Sequence, residues 1–160
     1  MSLLAIDHVA VPCFDVRATR RFYGEVLGLP LVLAQSGSAE AWGGGEYLLM
    51  AFAIGDGGVI DFFAFDGLRR PPPDGLPKDI RHVALTVPSR AAVTAYEERL
   101  ERAAIEHWTE THAEDDLHVY VEDPNGVVIE IVAADDGARL RARDEAGAER
   151  AVARWLATRA

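Results

Sequence analysis

The stretch RHVALTV at residues 81–87 has the same opening as the stretch DHVAV at residues 7–11. In both stretches valine and other apolar side chains occupy alternate positions, which is the pattern of a strand with one buried face. A histidine begins each pattern, His8 in one and His82 in the other, and is expected on the face opposite the valines. The shared opening at two distant points of the chain indicates an internal repeat.

The segments that follow the two openings are also alike. Residues 15–28, DVRATRRFYGEVLG, have the apolar spacing of a helix with Asp15 at its N-cap. Residues 89–104, SRAAVTAYEERLERAA, have the same spacing with Ser89 at the cap. Three extended runs bounded by turn residues follow each helix. The expected strands cover residues 29–36, 46–55 and 58–65 in the first half, and 106–112, 117–123 and 126–133 in the second.

This order, βαβββ in each half, predicts an α+β fold. Each half has one helix to cover one face of its curved mixed sheet, so the other face stays open and the two sheets form a cleft. The modules are expected at about residues 4–67 and 79–134, joined by a proline-rich linker at residues 68–78. We expect a single domain over residues 1–137 and a helical extension over residues 138–160.

Composition and charge restrict the possible partners. The 160 residues carry a net charge of −10 at pH 7 with a pI near 4.9, which argues against nucleic acid and against an anionic membrane. No apolar run approaches the roughly 20 residues that a transmembrane helix needs. The first residues lack the features of a signal peptide, and the single Cys13 forms no internal disulfide, so a cytoplasmic location is expected. A small-molecule substrate is the expected partner.

Four polar side chains are expected opposite the apolar faces of their strands, two in each half. The alternation of side chains puts His8 and Asp61 on the polar face in the first half, and His82 and Glu130 on that face in the second. An approximate two-fold relation between the halves would bring all four to one place in the cleft. Imidazole and carboxylate donors together suit a divalent Fe, Mn, Co, Ni or Zn ion, although one such residue alone is more often structural or solvated.

The sequence resembles the vicinal oxygen chelate superfamily, which includes glyoxalase I, bleomycin-resistance proteins, fosfomycin-resistance enzymes, methylmalonyl-CoA epimerase and extradiol ring-cleaving dioxygenases. The resemblance rests on the two strand openings and on FYGEVLGLPL, VIDFF and VEDPNGVVIEIV, and it covers about residues 4–134. It implies metal binding by His8, Asp61, His82 and Glu130. Asp61 departs from the usual glutamate or glutamine and is shorter by one methylene, which puts its reach to the metal in question.

One segment, HAEDDLHVYVEDPNGVVIE, resembles the signature of extradiol dioxygenases. His112, Tyr120 and Glu130 occupy the positions of its histidine, its tyrosine and its metal-binding glutamate, whereas Glu110 departs from it. The resemblance implies a second-sphere proton donor or acceptor at His112, and a hydrogen-bond donor to substrate or oxygen at Tyr120. A further acid–base histidine that is usual in dioxygenases is missing from the first half, and Asp61 is the candidate to replace it. A structural explanation is equally good: Tyr120 would pack in a sheet, and His112 would be a loop residue without a catalytic role.

Three functions stay open. A dioxygenase with Fe(II) or Mn(II) on His8, His82 and Glu130 is slightly favoured, because three coordination positions would stay free for a catechol and O₂. If Asp61 also binds the ion, we expect a glyoxalase I-like lyase or an epimerase that moves a proton between carbons, for which Ni(II), Co(II) or Zn(II) is also suitable. A metal-free protein that binds a small molecule is the third. A homodimer is expected. No role is assigned to His118.

Overall fold

The computed structural model describes residues 5–55, 57–111, 116–134 and 145–158. The strands of the first half are β1 (His8–Pro12), β2 (Leu31–Ser38), β3 (Glu46–Ile54) and β4 (Gly58–Phe65). Those of the second half are β5 (His82–Val87), β6 (His107–Thr111), β7 (Leu117–Glu122) and β8 (Val128–Ala133). The helices are α1 (Val16–Arg20), which continues as a π-helical turn over Arg21–Val26, α2 (Arg90–Arg102) and α3 (Glu145–Ala157).

Each half forms a mixed sheet of four strands. The strand order is β1-β4-β3-β2 in the first sheet and β5-β8-β7-β6 in the second. In each sheet the first and last strands of the half pair in parallel, and the other neighbours are antiparallel. The predicted α+β fold of two βαβββ modules is confirmed. The two sheets stay separate, with β1 and β5 each at an edge.

The two main helices begin at the caps expected from the sequence. The Asp15 carboxylate accepts a hydrogen bond from the amide three residues later at 2.9 Å, and the Ser89 hydroxyl accepts the equivalent bond at 3.4 Å. The first helix differs from the expectation, because it widens into a π-helical turn after Arg20. The wider turn lets Phe22 and its neighbour Tyr23 both reach the core, where they are 4% and 0% exposed.

One apolar core connects the two modules. The Tyr23 ring packs against Phe52 and Phe62 of the first sheet, with centroids 5.6 and 4.5 Å apart. Helix α2 packs on the second sheet through the fully buried Val93 and Leu100. Buried residues of both modules belong to the same cluster. Each helix therefore covers one face of its sheet and leaves the other face open.

A buried turn of the second module docks on the first helix of the first module. The Tyr23 hydroxyl donates a hydrogen bond to Asp123 Oδ2 at 3.0 Å, and the Phe14 amide donates to Asn125 Oδ1 at 2.8 Å. The Asn125 amide group also donates to the Thr19 hydroxyl at 3.0 Å. Burial raises the pKa of Asp123, although two side chains and two backbone amides donate to its carboxylate. These contacts fix how the two modules sit within one chain.

Helix α3 lies within the segment for which a helical extension is expected. Its apolar side chains Val152, Trp155 and Leu156 are each more than half exposed. The division into a domain at residues 1–137 and an extension at residues 138–160 stays a prediction. No helix within the described ranges is both long and apolar enough to cross a bilayer.

We expect Tyr23→Phe to lower the free energy of unfolding by about 1–2 kcal/mol, because the buried Asp123 carboxylate loses a donor. The matched control is Tyr47→Phe, because the Tyr47 hydroxyl accepts an exposed hydrogen bond from Gln35 at 3.4 Å. Urea unfolding of the two variants and the wild type measures the difference. Equal stability of the two variants would show that the docked turn does not depend on this contact.

Candidate functional site

Three polar side chains of the second module share the open face of its sheet. Glu130 in β8 is paired with Tyr120 in β7 and with Ala84 in β5. Paired residues point to the same face, and His82 is two positions before Ala84, so it points there as well. The exposure of side chains alternates along β5, which confirms the alternation predicted from the sequence.

The carboxylate of Glu130 is at the centre of this face and is 6% exposed. Its Oε2 atom is 2.9 Å from Nε2 of His82. Its Oε1 atom accepts a hydrogen bond from the Tyr120 hydroxyl at 3.0 Å and contacts Nδ1 of His118. A buried carboxylate needs donors around it, because burial removes it from water. Tyr120 and His118 supply hydrogen bonds to Oε1, and His82 contacts Oε2.

His82 presents one defined nitrogen to Glu130. Its Nδ1 donates to the backbone carbonyl of Asp79 at 2.6 Å, so Nε2 is the atom that faces Glu130 or a cation. The 2.9 Å between Nε2 and Glu130 Oε2 is close to the separation of two neighbouring ligands that each lie about 2.1 Å from one ion. The donor atoms of His82 and Glu130 therefore fit a divalent metal.

Tyr120 is a hydrogen-bond donor at this site. Its ring stacks on Trp108 of β6, with centroids 5.4 Å apart. Burial raises the pKa of Tyr120, and the hydrogen bond to Glu130 and nearby negative charges add to the effect, so the phenol keeps its proton at neutral pH. In the structure the hydroxyl donates to Glu130. A hydrogen bond from Tyr120 to substrate or oxygen stays a prediction.

Two further residues of this site have no counterpart among the sequence-based candidates. His118 in β7 is 1% exposed and contacts Glu130 through Nδ1, and its Nε2 is 2.7 Å from Oδ1 of the buried Asp116. The alternation along β7 contains the signal, because His118 is two positions before Tyr120 and so shares its face. The predicted proton donor or acceptor His112 lies outside the described residues.

The candidates of the first module share the open face of the other sheet. Asp61 in β4 pairs with Ala10 in β1, and His8 is two positions before Ala10. His8 Nδ1 is 2.7 Å from Asp7 Oδ1 at the surface. The hydrogen bond to Asp7, assisted by the charge of Asp61, outweighs desolvation and raises the pKa of His8. His8 and Asp61 therefore form a second pair.

The two pairs do not meet within one chain. Among the described residues, no three His, Cys, Asp or Glu side chains converge on a point where an ion could bind. The expected meeting of four residues at one place is therefore not found in a single chain. The reason is the docking of the modules, since the turn at residues 123–126 contacts the first helix while β1 and β5 stay at the edges of separate sheets.

Aromatic side chains share the open face of the first sheet with Asp61. Asp61, Phe63 and Phe65 alternate along β4 and so share a face. Trp42 is 61% exposed and meets Tyr47, Phe63 and Phe65 edge to face, with centroids 5.3–6.2 Å apart. This surface suits the flat apolar part of a small molecule.

A cavity of about 640 Å³ lies beside the site of the second module. Trp108, which stacks on Tyr120, and Asp79, which holds His82, both line it. Its size is in the range of small-molecule sites. Five of its lining residues are acidic and one is basic. A neutral or cationic molecule therefore suits this cavity better than an anionic one.

A profile of the Glyoxalase/Bleomycin resistance protein/Dioxygenase superfamily matches residues 5–131. The chain belongs to this superfamily. The resemblance seen in the sequence is thereby confirmed. A search of curated proteins finds no significant match.

Solved structures of the superfamily share this fold. A candidate dioxygenase from Bacillus subtilis subsp. subtilis str. 168 is 26% identical with a TM-score of 0.62, over 80% of this chain and 40% of the Bacillus protein. A lactoylglutathione lyase from Agrobacterium tumefaciens is 22% identical with a TM-score of 0.60, over 89% of this chain and 100% of the lyase. TnmS3, an antibiotic-binding protein from Streptomyces sp. CB03234, is 20% identical with a TM-score of 0.59, over 83% of this chain and 98% of TnmS3. Membership of the superfamily does not by itself select a reaction.

The proline-rich linker is attached to the end of β7 beside the cavity. Glu122 forms ion pairs with Lys78 and Arg70 of the linker. Hydrogen bonds from these two cations lower the pKa of Glu122. Lys78 also lines the cavity, so the ion pairs hold the linker against the site.

We expect Glu122→Gln to reduce the acid sensitivity of the fold. Because the folded-state pKa of Glu122 lies below its ordinary 4.5, the ion pairs stabilise the protein above that pH, and this stabilisation is lost as the pH falls through the folded-state pKa. Between pH 7 and pH 3 the variant should lose less free energy of unfolding than the wild type, by about 0.5–1 kcal/mol in urea unfolding. Glu98→Gln, which breaks an exposed pair with Arg102, is the control. An equal loss in Glu122→Gln and wild type would contradict the prediction.

Proposed function

We propose that the protein is a divalent-metal-dependent enzyme that acts on a small molecule with two adjacent oxygen atoms. The observation that supports this most is the pair of His82 Nε2 and Glu130 Oε2, 2.9 Å apart on the open face of the second sheet. Further contacts hold both side chains, the Asp79 carbonyl on one and the Tyr120 hydroxyl on the other. Metal ligands are characteristically held in this way by outer partners.

The proposed ligands are His8, Asp61, His82 and Glu130, and Fe(II) or Mn(II) is the favoured ion. Such an ion, when bound, supplies Lewis-acid polarisation of the substrate oxygens. His82 and Glu130 would hold it through Nε2 and Oε2, which are the atoms that face each other in the structure.

The other groups of the site bind and orient the substrate. Tyr120 keeps its proton, and its hydroxyl, which donates to Glu130 in the substrate-free protein, would turn to donate to a substrate oxygen when substrate binds. The Trp108 ring lies against the Tyr120 ring and fixes its orientation. The aromatic surface around Trp42 on the other module suits the flat part of the substrate. His112 keeps its predicted part in proton transfer.

Cleavage of a catechol-type ring by O₂ is the reaction that we favour. The dioxygenase-like segment around Tyr120 supports it, and so does the acidic lining of the cavity, which disfavours substrates with several carboxylates. Ring cleavage inserts both atoms of O₂ into the substrate, so it needs no external reductant. A protonated phenol at Tyr120 suits a substrate oxygen that accepts a hydrogen bond.

One observation favours a second candidate, a lyase or isomerase that moves a proton between two carbons. Asp61 shares a face with His8, and its negative charge contributes to the raised pKa of His8. A carboxylate beside a proposed metal ligand can itself bind the ion or accept a proton from the substrate. In the ring-cleavage reaction Asp61 would instead replace the missing acid–base histidine.

The separation of the two pairs supports a homodimer in which a second copy completes the site. Within one chain His8 and Asp61 lie on a different sheet from His82 and Glu130, and the described residues contain no larger cluster of potential ligands. The open face of one module would then lie against the open face of the other module in the second copy. Exposed apolar side chains of the first module supply surface for this contact: Leu31, Val32, Leu33 and Trp42.

We expect the protein, incubated without O₂ with Fe(II) or Mn(II) and then desalted, to retain close to one ion per chain. His82→Ala should weaken retention by more than about tenfold, because it removes a proposed ligand. His107→Ala is the matched control, since His107 is not a proposed ligand and its Nδ1 donates to the Ile105 carbonyl at 3.0 Å. Elemental analysis measures the ions retained. No retained metal in the wild type would contradict an enzyme and leave a metal-free binding protein as the better description.

If metal is retained, O₂ consumption with catechols separates the two reactions. Ring cleavage predicts one O₂ consumed for each catechol opened. Metal retention that depends on Asp61, tested with Asp61→Asn, together with no O₂ consumption, would favour the lyase or isomerase.

We expect two inactive variants to restore each other when they are produced together. His8→Ala removes a ligand from one half-site and Glu130→Ala removes one from the other. In a mixed dimer one composite site has both losses and the other has none, so random mixing should restore about one quarter of the wild-type metal sites. Co-expression with two different tags, followed by metal analysis, measures the restoration. Sites built within one chain would give none.

A further inference from the structure

Three buried polar side chains form a hydrogen-bonded network behind the proposed site. Asp116, His118 and Glu130 are 3%, 1% and 6% exposed. His118 Nε2 is 2.7 Å from Asp116 Oδ1, and His118 Nδ1 contacts Glu130 Oε1. Both ring nitrogens of His118 therefore face a carboxylate oxygen.

A ring nitrogen that carries a proton can donate to the carboxylate oxygen that faces it, so His118 links the two carboxylates through hydrogen bonds. Burial of three such groups costs free energy that an apolar residue at position 118 would avoid. Packing alone therefore does not explain these residues.

The contacts of Glu130 indicate the role of this hydrogen-bonded network. Its Oε1 is occupied by His118 and by the Tyr120 hydroxyl at 3.0 Å, whereas its Oε2 faces His82 Nε2 at 2.9 Å. We propose that His118, held by Asp116, is a positioning residue that fixes the Glu130 carboxylate so that only Oε2 is presented beside His82. The consequence for the metal rests on the proposed function: if the ion binds there, Glu130 would bind it through one oxygen.

Presentation of one oxygen matters for the proposed chemistry. A carboxylate that binds through one oxygen occupies one coordination position, and one that binds through both occupies two. The positioning of Glu130 therefore leaves a further position for the two adjacent oxygens of the substrate. His118 and Asp116 influence the reaction only through Glu130.

Titration with Co(II), followed by its visible absorption, tests the positioning role in the intact protein. His118→Leu introduces an apolar side chain of similar size and removes both hydrogen bonds, so Co(II) should bind about 10–100-fold more weakly than to the wild type. Val121→Ala is the control for loss of stability, because Val121 is 0% exposed and points to the opposite face of β7. Affinities of His118→Leu and Val121→Ala that are equal would overturn the proposal.

Asp116 provides a graded second test that does not alter the histidine. Asp116→Asn keeps a carbonyl oxygen that can accept from His118 Nε2, whereas Asp116→Ala leaves that nitrogen without this acceptor. Asp116→Asn should bind Co(II) within about threefold of the wild type, and Asp116→Ala should bind about tenfold more weakly. The same loss in both variants would contradict a role through hydrogen bonding.

A measurement on the metal-free protein separates this proposal from the proposed function. The ¹⁵N chemical shifts of the His82 ring report its contact with Glu130 Oε2. His118→Leu should change these shifts, because the carboxylate is released, and Val121→Ala should leave them as in the wild type. If the wild type binds no Co(II), the proposed function fails, while the shifts still decide the positioning role. Unchanged His82 shifts in His118→Leu would overturn it.

Discussion

A buried carboxylate organises the second module. Glu130 lies in β8, between β5 and β7, and its buried carboxylate is contacted from both neighbouring strands. Tyr120 and His118 donate to it from β7, and His82 contacts its second oxygen from β5. The register of three strands is thus constrained by polar contacts on the open face as well as by apolar packing on the other. A slip of one residue would turn Glu130 into the core and leave its donors without their acceptor.

The way the modules dock decides where the other half of the site must come from. Tyr23 and Asn125 join the first helix to the turn that precedes β8, and β1 and β5 each lie at the edge of their own sheet. The pair of His8 and Asp61 is therefore on a different sheet from Glu130. Two copies of the chain would supply both pairs to one cleft, and the aromatic surface around Trp42 would then lie near the ion.

Much of the fold follows from local patterns in the sequence. The alternation of side chains and the capping residues Asp15 and Ser89 predict the modules, the faces of the strands and the start of both main helices. The π-helical turn and the docking of the modules do not follow, because they depend on packing between distant segments. The face of His118 is readable from its spacing to Tyr120, but its bridge to Asp116 depends on burial that only the folded chain shows.

The central claim is that Glu130 and His82 bind a divalent ion together. X-ray diffraction from Mn(II)-soaked crystals, with the anomalous signal used to locate manganese, tests this most directly. We predict one strong peak within bonding distance of His82 Nε2 and Glu130 Oε2, with Oε1 still in contact with Tyr120 and His118, and with His8 and Asp61 of a second copy near the ion. Manganese bound elsewhere, or no peak in crystals soaked at saturating Mn(II), would contradict the claim.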